Sequence, residues 1–357
     1  MGYELDFLPV GNEKPGDAIA FRFGNLHGPR SEQTVVVIDG GFQDDGQKMV
    51  DHLRTHYGTK RVDLVISTHP DQDHVAGLET VLTECEVGRL WMHQPWNHTD
   101  DIAKMFANGR VTDEGVREAL RKSLDEARTL ERLAQSKKIP IEEPFAGLRD
   151  ASKALLVLGP SRTFYESLLP GFRGTPAPKP GLLKSLVTGV EEAVKKLAER
   201  WDFETLDDSG ETTPENNSSV ILLLTLDGNY LLLTADAGIP ALTEVVSLLQ
   251  SANFDFSKLR FVQVPHHGSA RNVGPALLDQ LIGPKLQREA VSRTAFVSVT
   301  SDDHPKHPSK KVLNAFRRRG APVHCTAGFG KCHFDNAPAR PGWRPSVPLP
   351  FYNEVDD

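Results

Sequence analysis

The run Thr68-His69-Pro70-Asp71-Gln72-Asp73-His74 places four potential metal ligands, His69, Asp71, Asp73 and His74, within six residues. A divalent ion needs neutral imidazole nitrogens and carboxylate oxygens converging at about 2.0–2.2 Å. The run follows Val62 to Ser67, an apolar stretch that reads as a buried strand. A loop leaving such a strand can aim its side chains together, because they no longer alternate across a pleat. A polar turn accounts for the same residues without chemistry, with aspartates in Asx and N-cap roles ahead of a short helix. That helix is marked by Val75, Leu78, Val81 and Leu82 on one face.

Other segments weigh against a mere turn. Asp236 follows the apolar run LLLT, where a carboxylate needs a partner to offset its desolvation; the plain alternative is a loop residue capping Gly238. His266 and His267, in His266-His267-Gly268-Ser269, follow FVQVP at another strand end. Adjacent side chains point in different directions, so one would ligate and the other line the site, and the sequence leaves open which. His304 and His307 stand in DDHPKHPS before the C-terminal helix, each by itself an ordinary surface histidine. Strand ends on one edge of a sheet sandwich can meet in one cleft, where a dinuclear site would form. Mixed nitrogen and oxygen ligands suit Zn²⁺, and the carboxylate share also admits Mn²⁺.

The elements that must carry these residues are legible in outline. Strands are expected at Ala18 to Phe23, Thr34 to Ile38, Phe261 to Val264, Ala295 to Val299, Pro322 to Cys325 and Lys331 to Phe334, with a helix over Gln47 to Tyr57. Asp227-Gly228-Asn229, between two apolar runs, signals a hairpin. The last helix has Ser309 at its start, Val312 and Phe316 inside and Gly320 past its end. Between residues 97 and 214 the pattern changes. Val116, Leu120, Leu124, Ala127, Leu130 and Ala134 fall at helical spacing, as do Leu183, Leu186, Val190, Val194, Leu197 and Trp201, with the Pro/Gly linker GFRGTPAPKPG between them. This reads as a helical insertion or cap, without a chemical motif and open to a protein partner, within one domain spanning 1–357. Strand-rich halves around an insertion fit a two-sheet α/β sandwich.

A chain of 357 residues with a quarter of them charged and a net charge of -7 can bury a sizeable core. It does not offer a wholly basic surface for nucleic acid, although a local strip remains open. The start of the chain lacks the basic-then-apolar pattern of a secretory signal, and no uncharged apolar stretch is long enough to span a bilayer. Cys85, Cys325 and Cys332 are odd in number and without framework spacing, which suits small buried residues in a reducing cytoplasm.

THPDQDH resembles the His-x-(His/Asp)-x-Asp-His signature of the metallo-β-lactamase superfamily. With Asp in the second slot, followed by LLLTAD and VPHHGS, the set is similar to the hydrolase domain of bacterial DNA-uptake channels of the ComEC type. GDAIAFRFGN, VVVIDGG, NNSSVILLL and HPS extend the likeness, which covers about Leu5–Met92 and Asn216–Phe334 but none of the channel's membrane segments. The resemblance implies an αββα two-sheet sandwich and two divalent ions, Zn²⁺ or Mn²⁺. His69 and Asp71 would serve one ion, Asp73 and His74 the second, Asp236 would bridge, and His266 (or His267) would fill the last slot. Where many members carry a further His, this chain has Glu215-Asn216-Asn217. The first ion would then be weakly held, or completed by water or substrate, with Asn217 a candidate contact. His307 matches a position facing the substrate, as proton donor or phosphate contact.

Such a site would hydrolyse its substrate with metal-bound hydroxide, oriented by Asp73. The fold does not choose the substrate. The nearest-looking relatives point to phosphodiester cleavage, DNA first. Lys306, Lys310, Lys311, Arg317, Arg318, Arg319 and Lys331 form a basic run that could track a phosphate backbone, with Lys306 and Arg317 to Arg319 the expected contacts, unless it is a solvated helix face. A small-molecule hydrolase acting on a cyclic nucleotide, lactone or other ester, with the insertion as lid, is the first alternative. A non-catalytic, metal-stabilised binding or regulatory module is the second.

Overall fold

Alternation along the longest strands sorts apolar side chains onto two faces, and both faces are buried. Along Gln33–Gly40, Val35 and Val37 point to one cluster while Val36 and Ile38 point to another. Ile221–Leu226 repeats the pattern, with Ile221 and Leu223 on one side and Leu222, Leu224 and Leu226 on the other. Strands covered on both faces need helices outside and a second sheet inside. The computed structural model, which describes residues 1–180, 196–300 and 307–356, has that layering.

The first sheet runs, edge to edge, through Lys331–Asp335, Gly2–Phe7, Ala18–Gly24, Gln33–Gly40, Leu64–Ile66, Leu90–Trp91 and Ile141–Glu142. The second runs through Val323–Cys325, Thr294–Val297, Leu259–Gln263, Asn229–Leu233, Ile221–Leu226 and Leu155–Gly159. Between them lies an aromatic core in which Phe7, Phe261 and Phe296 meet at ring-centroid distances of 5.8, 5.5 and 5.1 Å. Each such pair adds about 0.5–1.5 kcal/mol beyond its buried area. The expected hairpin forms, with Asp227 at φ 46° and Gly228 at φ 78° turning Ile221–Leu226 back onto Asn229–Leu233.

Strand Gly2–Phe7 was not among the expected strands, although Tyr3, Leu5 and Phe7 alternate with Glu4 and Asp6 at strand spacing. Both are buried and neutralised from elsewhere. Arg22 Nε donates to Glu4 (2.5 Å), and Arg340 donates to Glu4 (3.0 Å) and to both Asp6 oxygens (2.7 and 2.8 Å).

The stretch 97–214 is not a cap throughout. Helices Asp113–Ser123 and Asp125–Ser136 cover the outer face of the first sheet through Val116, Leu120, Leu130 and Ala134. Ile141–Glu142 and Leu155–Gly159 complete the edges of the two sheets. Leu183, Leu186, Val190 and Val194 lie outside the described residues. Leu197 belongs to strand Lys196–Ala198, paired with Glu354–Asp356, so the expected helix does not extend to Trp201. Among the described residues, no helix is long and apolar enough to cross a membrane.

His93 is packed between Phe145 and Tyr165, at centroid distances of 4.7 and 4.4 Å, with neither ring nitrogen hydrogen-bonded. Burial pushes its pKa from 6.5 down to about 3. The unfolded chain therefore takes up this proton below pH 6.5 while the folded chain resists it, so stability is lost as pH falls from 6.5 toward 3. Between pH 7.5 and 5.5, urea unfolding of the wild type should lose about 1 kcal/mol more than that of His93→Phe. Equal losses would show that His93 is not buried neutral.

Candidate metal centre

Strand Leu64–Ile66 lies inside the first sheet, and the chain leaves it through buried Ser67, Thr68 and His69. Asp71 then occupies the N-cap position of the turn Gln72–Val75, yet its side chain makes no capping hydrogen bond. The capping account of this residue therefore fails. Its carboxylate faces His69 Nε2 at 3.6 Å.

The end of Gln33–Gly40 supports the motif from beside it. Gly40 and Gly77 let this strand end and the helix Leu78–Glu84 meet backbone to backbone, since a Cβ on Gly77 would stand 2.0 Å from Gly40 O. Asp39, at φ 55°, accepts from Thr68 N (2.8 Å), Thr68 Oγ1 (2.6 Å) and His74 Nδ1 (2.7 Å). With its own proton given to Asp39, Thr68 Oγ1 accepts from His69 Nδ1 at 3.1 Å. Both imidazoles are thus turned with Nε2 outward.

The second sheet supplies the opposite wall. Asp236 follows Asn229–Leu233, and Thr234 N and Ala235 N both donate to Gln263 Oε1 at 3.0 Å. Gln263 Nε2 donates in turn to buried Asp17 at 2.7 Å. His266 and His267 form a tight turn at φ 47° and 53°, side-chain directions that an extended strand would not give. His267 Nδ1 donates to Ser298 O at 3.0 Å. His266 Nδ1 donates to Asn272 Oδ1 at 2.8 Å, whose amide is fixed by donating to Asp236 O at 2.8 Å. Left-handed conformations at Asp39, Ala235, His266 and His267 concentrate backbone strain at this one place.

Four imidazoles therefore turn Nε2 onto one carboxylate. Asp236 lies 3.9 Å from His69, 3.4 Å from His74, 3.5 Å from His266 and 3.9 Å from His267. Asp73 reaches His267 at 3.5 Å and His74 at 3.9 Å. Nε2 of His69, His74 and His267, and Oδ1 of Asp236, are buried with no hydrogen-bond partner. Buried polar atoms are rarely left so, and a ring nitrogen oriented through its other nitrogen is the arrangement of metal-bound histidines. The donor set fits a divalent ion. Among the described residues, three groups have ligand atoms close enough to share one: His69, His74 and Asp236; Asp73, His74 and His267; and Asp17, Asp39 and His74, the last drawn together by the hydrogen bond from His74 Nδ1 to Asp39.

The electrostatics agree. Burial pushes the Asp236 carboxyl up, but His266, His74 and His267 hold it well below the usual range. Burial pushes His267 down, yet Asp236, Asp73 and Asp17 raise it to about 9; His74 is likewise raised by Asp236, Asp39 and Asp73. Without an ion, protons neutralise these carboxylates, and an ion that binds must displace them.

Of the expected residues, His69, Asp71, Asp73, His74, Asp236, His266 and His267 converge. His267 rather than His266 groups with Asp73 and His74, while His266 sits toward His307, ring centroids 5.8 Å apart. Glu215, Asn216 and Asn217 are buried in the helix Pro214–Asn217, and Asn217 Oδ1 has no partner. Lys306 and His304 lie outside the described residues. The three arginines of the basic run are corrected. Arg318 is fully buried against Glu199 (2.9 Å), Arg319 is buried against Glu204 and Asp279 (both 2.8 Å), and Arg317 pairs with Glu289 (2.5 Å). These arginines bind the protein's own acids and carbonyls and cannot form an exposed phosphate track. Sequence reasoning missed Asp17, Thr68, Arg173 and Asn272 and gave Asp39 no role; only Asp39, closing an apolar strand in the VVVIDGG run, carried a signal.

The sequence profile of the metallo-beta-lactamase superfamily matches residues 30–284, most of the chain. The chain belongs to that superfamily, whose members are mostly metal-dependent hydrolases. No curated protein matches it. Among solved structures, a putative metallo-beta-lactamase from Thermotoga maritima is 11% identical over 71% of this chain and 92% of that one, with a TM-score of 0.36. A mutant CmlA beta-hydroxylase is 11% identical over 93% of this chain and 53% of its own, with a TM-score of 0.42. The metallo-beta-lactamase SMB-1, bound to 2-mercaptoethanesulfonate, is 10% identical over 77% and 91%, with a TM-score of 0.30. The family assignment rests on the profile and not on these low-scoring likenesses.

Proposed function

We propose that this chain is a metal-dependent phosphodiesterase that holds Zn²⁺ or Mn²⁺ between Asp73, His74, His267 and Asp236, with His69 and Asp71 facing the same space. The observation that carries the reading is the set of buried, unpartnered Nε2 atoms aimed at Asp236, each fixed through its Nδ1. A bound divalent ion lowers the pKa of water to about 7 and neutralises charge on the substrate. Asp73, its side chain 28% exposed, accepts a hydrogen bond from the attacking water and so orients it. His307, beside His266, donates a proton to the leaving group. The mixed imidazole and carboxylate donor set suits Zn²⁺ and admits Mn²⁺, both of which also accept the oxygen ligands that phosphodiesters supply.

Resemblance to DNA-uptake hydrolases puts DNA first among phosphodiesters. The inward Arg317, Arg318 and Arg319 favour a second reading, a small phosphodiester or other ester. Hydrolysis of bis(4-nitrophenyl) phosphate, linear DNA and a lactone, with Zn²⁺ or Mn²⁺ against a chelated control, tests both. Metal-dependent cleavage of the chromogenic diester is expected, and Asp73→Ala should abolish it while preserving the fold. Turnover within about tenfold of wild type, about 1.4 kcal/mol of barrier, would place Asp73 outside the machinery. Cleavage of the lactone but of neither phosphodiester would overturn the substrate class.

A further inference from the structure

Arg173, in the Pro/Gly linker, comes from a part of the chain with no motif and ends at the half-exposed rim of the site, on Asp71. Its backbone N–H donates to Glu215 Oε1 (2.6 Å), Nε to Ser123 O (3.3 Å), Nη1 to Asp71 Oδ1 (2.5 Å) and Nη2 to Pro70 O (2.9 Å). Ser123 Oγ donates back to Arg173 O at 2.7 Å. A Cβ on the next residue, Gly174, would stand 2.5 Å from Ser123 Cβ, so the loop is seated closely on the end of helix Asp113–Ser123. A guanidinium held at all three nitrogens is fixed in place.

This fixed cation changes one half of the ligand set and not the other. Arg173 takes one Asp71 oxygen, leaving Oδ2 toward His69. Glu215, part of the segment that stands where a further histidine was expected, gives an oxygen to the same loop. Among the described residues, the ion pairs of Asp73 and Asp236 are all with histidines, which can give up their protons to an ion. An arginine cannot, because it stays protonated. A divalent ion beside Asp71 would meet a permanent positive charge and a carboxylate already shared.

We infer that Arg173 replaces one of the two ions expected of this site. The chain loads a single divalent ion at Asp73, His74, His267 and Asp236, and the guanidinium supplies the positive charge on the His69–Asp71 side. The inference rests on the metal-dependent hydrolase reading and deepens it.

Ion stoichiometry tests it without recourse to activity. The full chain is equilibrated with excess Zn²⁺ or Mn²⁺, freed of unbound ion by gel filtration and analysed for metal per chain. Wild type and Arg173→Lys should retain one ion. Arg173→Met, which keeps the stem and removes the charge, should retain two, with a second binding event in calorimetry at least about tenfold tighter than any second event in wild type. Asp71→Asn provides a check independent of the loop: it should still hold one ion, with affinity within about tenfold of wild type. Two ions in wild type, one in a folded Arg173→Met, or loss of the ion in Asp71→Asn would overturn the inference while leaving a metal-dependent hydrolase intact. No bound ion in any protein would overturn both.

Discussion

Asp236→Ala is expected to lose both its metal and its turnover. The carboxylate is buried and lies within 3.9 Å of four imidazole nitrogens, which come from both sheets. Removing it leaves those rings without the anion that gathers them and an ion without its shared ligand. Turnover should fall by at least about a thousandfold, about 4 kcal/mol of barrier. The same loss should appear in stability. A ligand that binds only the folded state stabilises it by about 2.7 kcal/mol at a hundred times its dissociation constant. Adding a chelator should therefore lower the melting temperature of wild type and leave Asp236→Ala unmoved. A variant that kept its metal and its chelator shift would remove Asp236 from the centre.

The largest purely structural effect is expected at Arg318. Its side chain and that of Glu199 are both fully buried, 2.9 Å apart. Arg318 also donates to the carbonyls of Arg200 (2.5 Å), Trp201 (3.2 Å) and Phe203 (2.7 Å). Arg318→Ala would strand the Glu199 charge and three acceptors. Breaking one side of a buried pair typically costs about 3–5 kcal/mol, a large share of the roughly 5–15 kcal/mol that holds a domain folded. Arg318→Lys should recover little, because an ammonium cannot reproduce the planar fork. Urea denaturation measures both, and a loss below about 1 kcal/mol in Arg318→Ala would show that the pair is solvated. Any effect of this substitution on DNA binding would then report on folding.

The candidate ligands were legible because each stands where an apolar run stops, at His69 after Val62 to Ser67, Asp236 after LLLT, and the pair His266-His267 after FVQVP, although the sequence favoured His266 where the geometry groups His267 with Asp73 and His74. What orients them was not. Thr68 and Asn272 act through hydrogen bonds that no spacing reveals, and Arg173 is one arginine in a linker. The burial of both faces of Gly2–Phe7 was not legible, because its acids are matched by Arg340, far along the chain. The basic run misled for the same reason. Consecutive arginines look like a surface until their partners, Glu199, Glu204 and Asp279, are brought in by the fold.

The two sheets contribute the candidate ligands in two batches, His69 to His74 from the first and Asp236 to His267 from the second. An ion here would act as a clasp across the whole intervening chain, including the connection from residue 160 to 213 that carries Arg173. The entropy of closing a loop grows with its length, so a clasp joining groups this far apart in sequence takes more freedom from the unfolded chain than one across a short turn would.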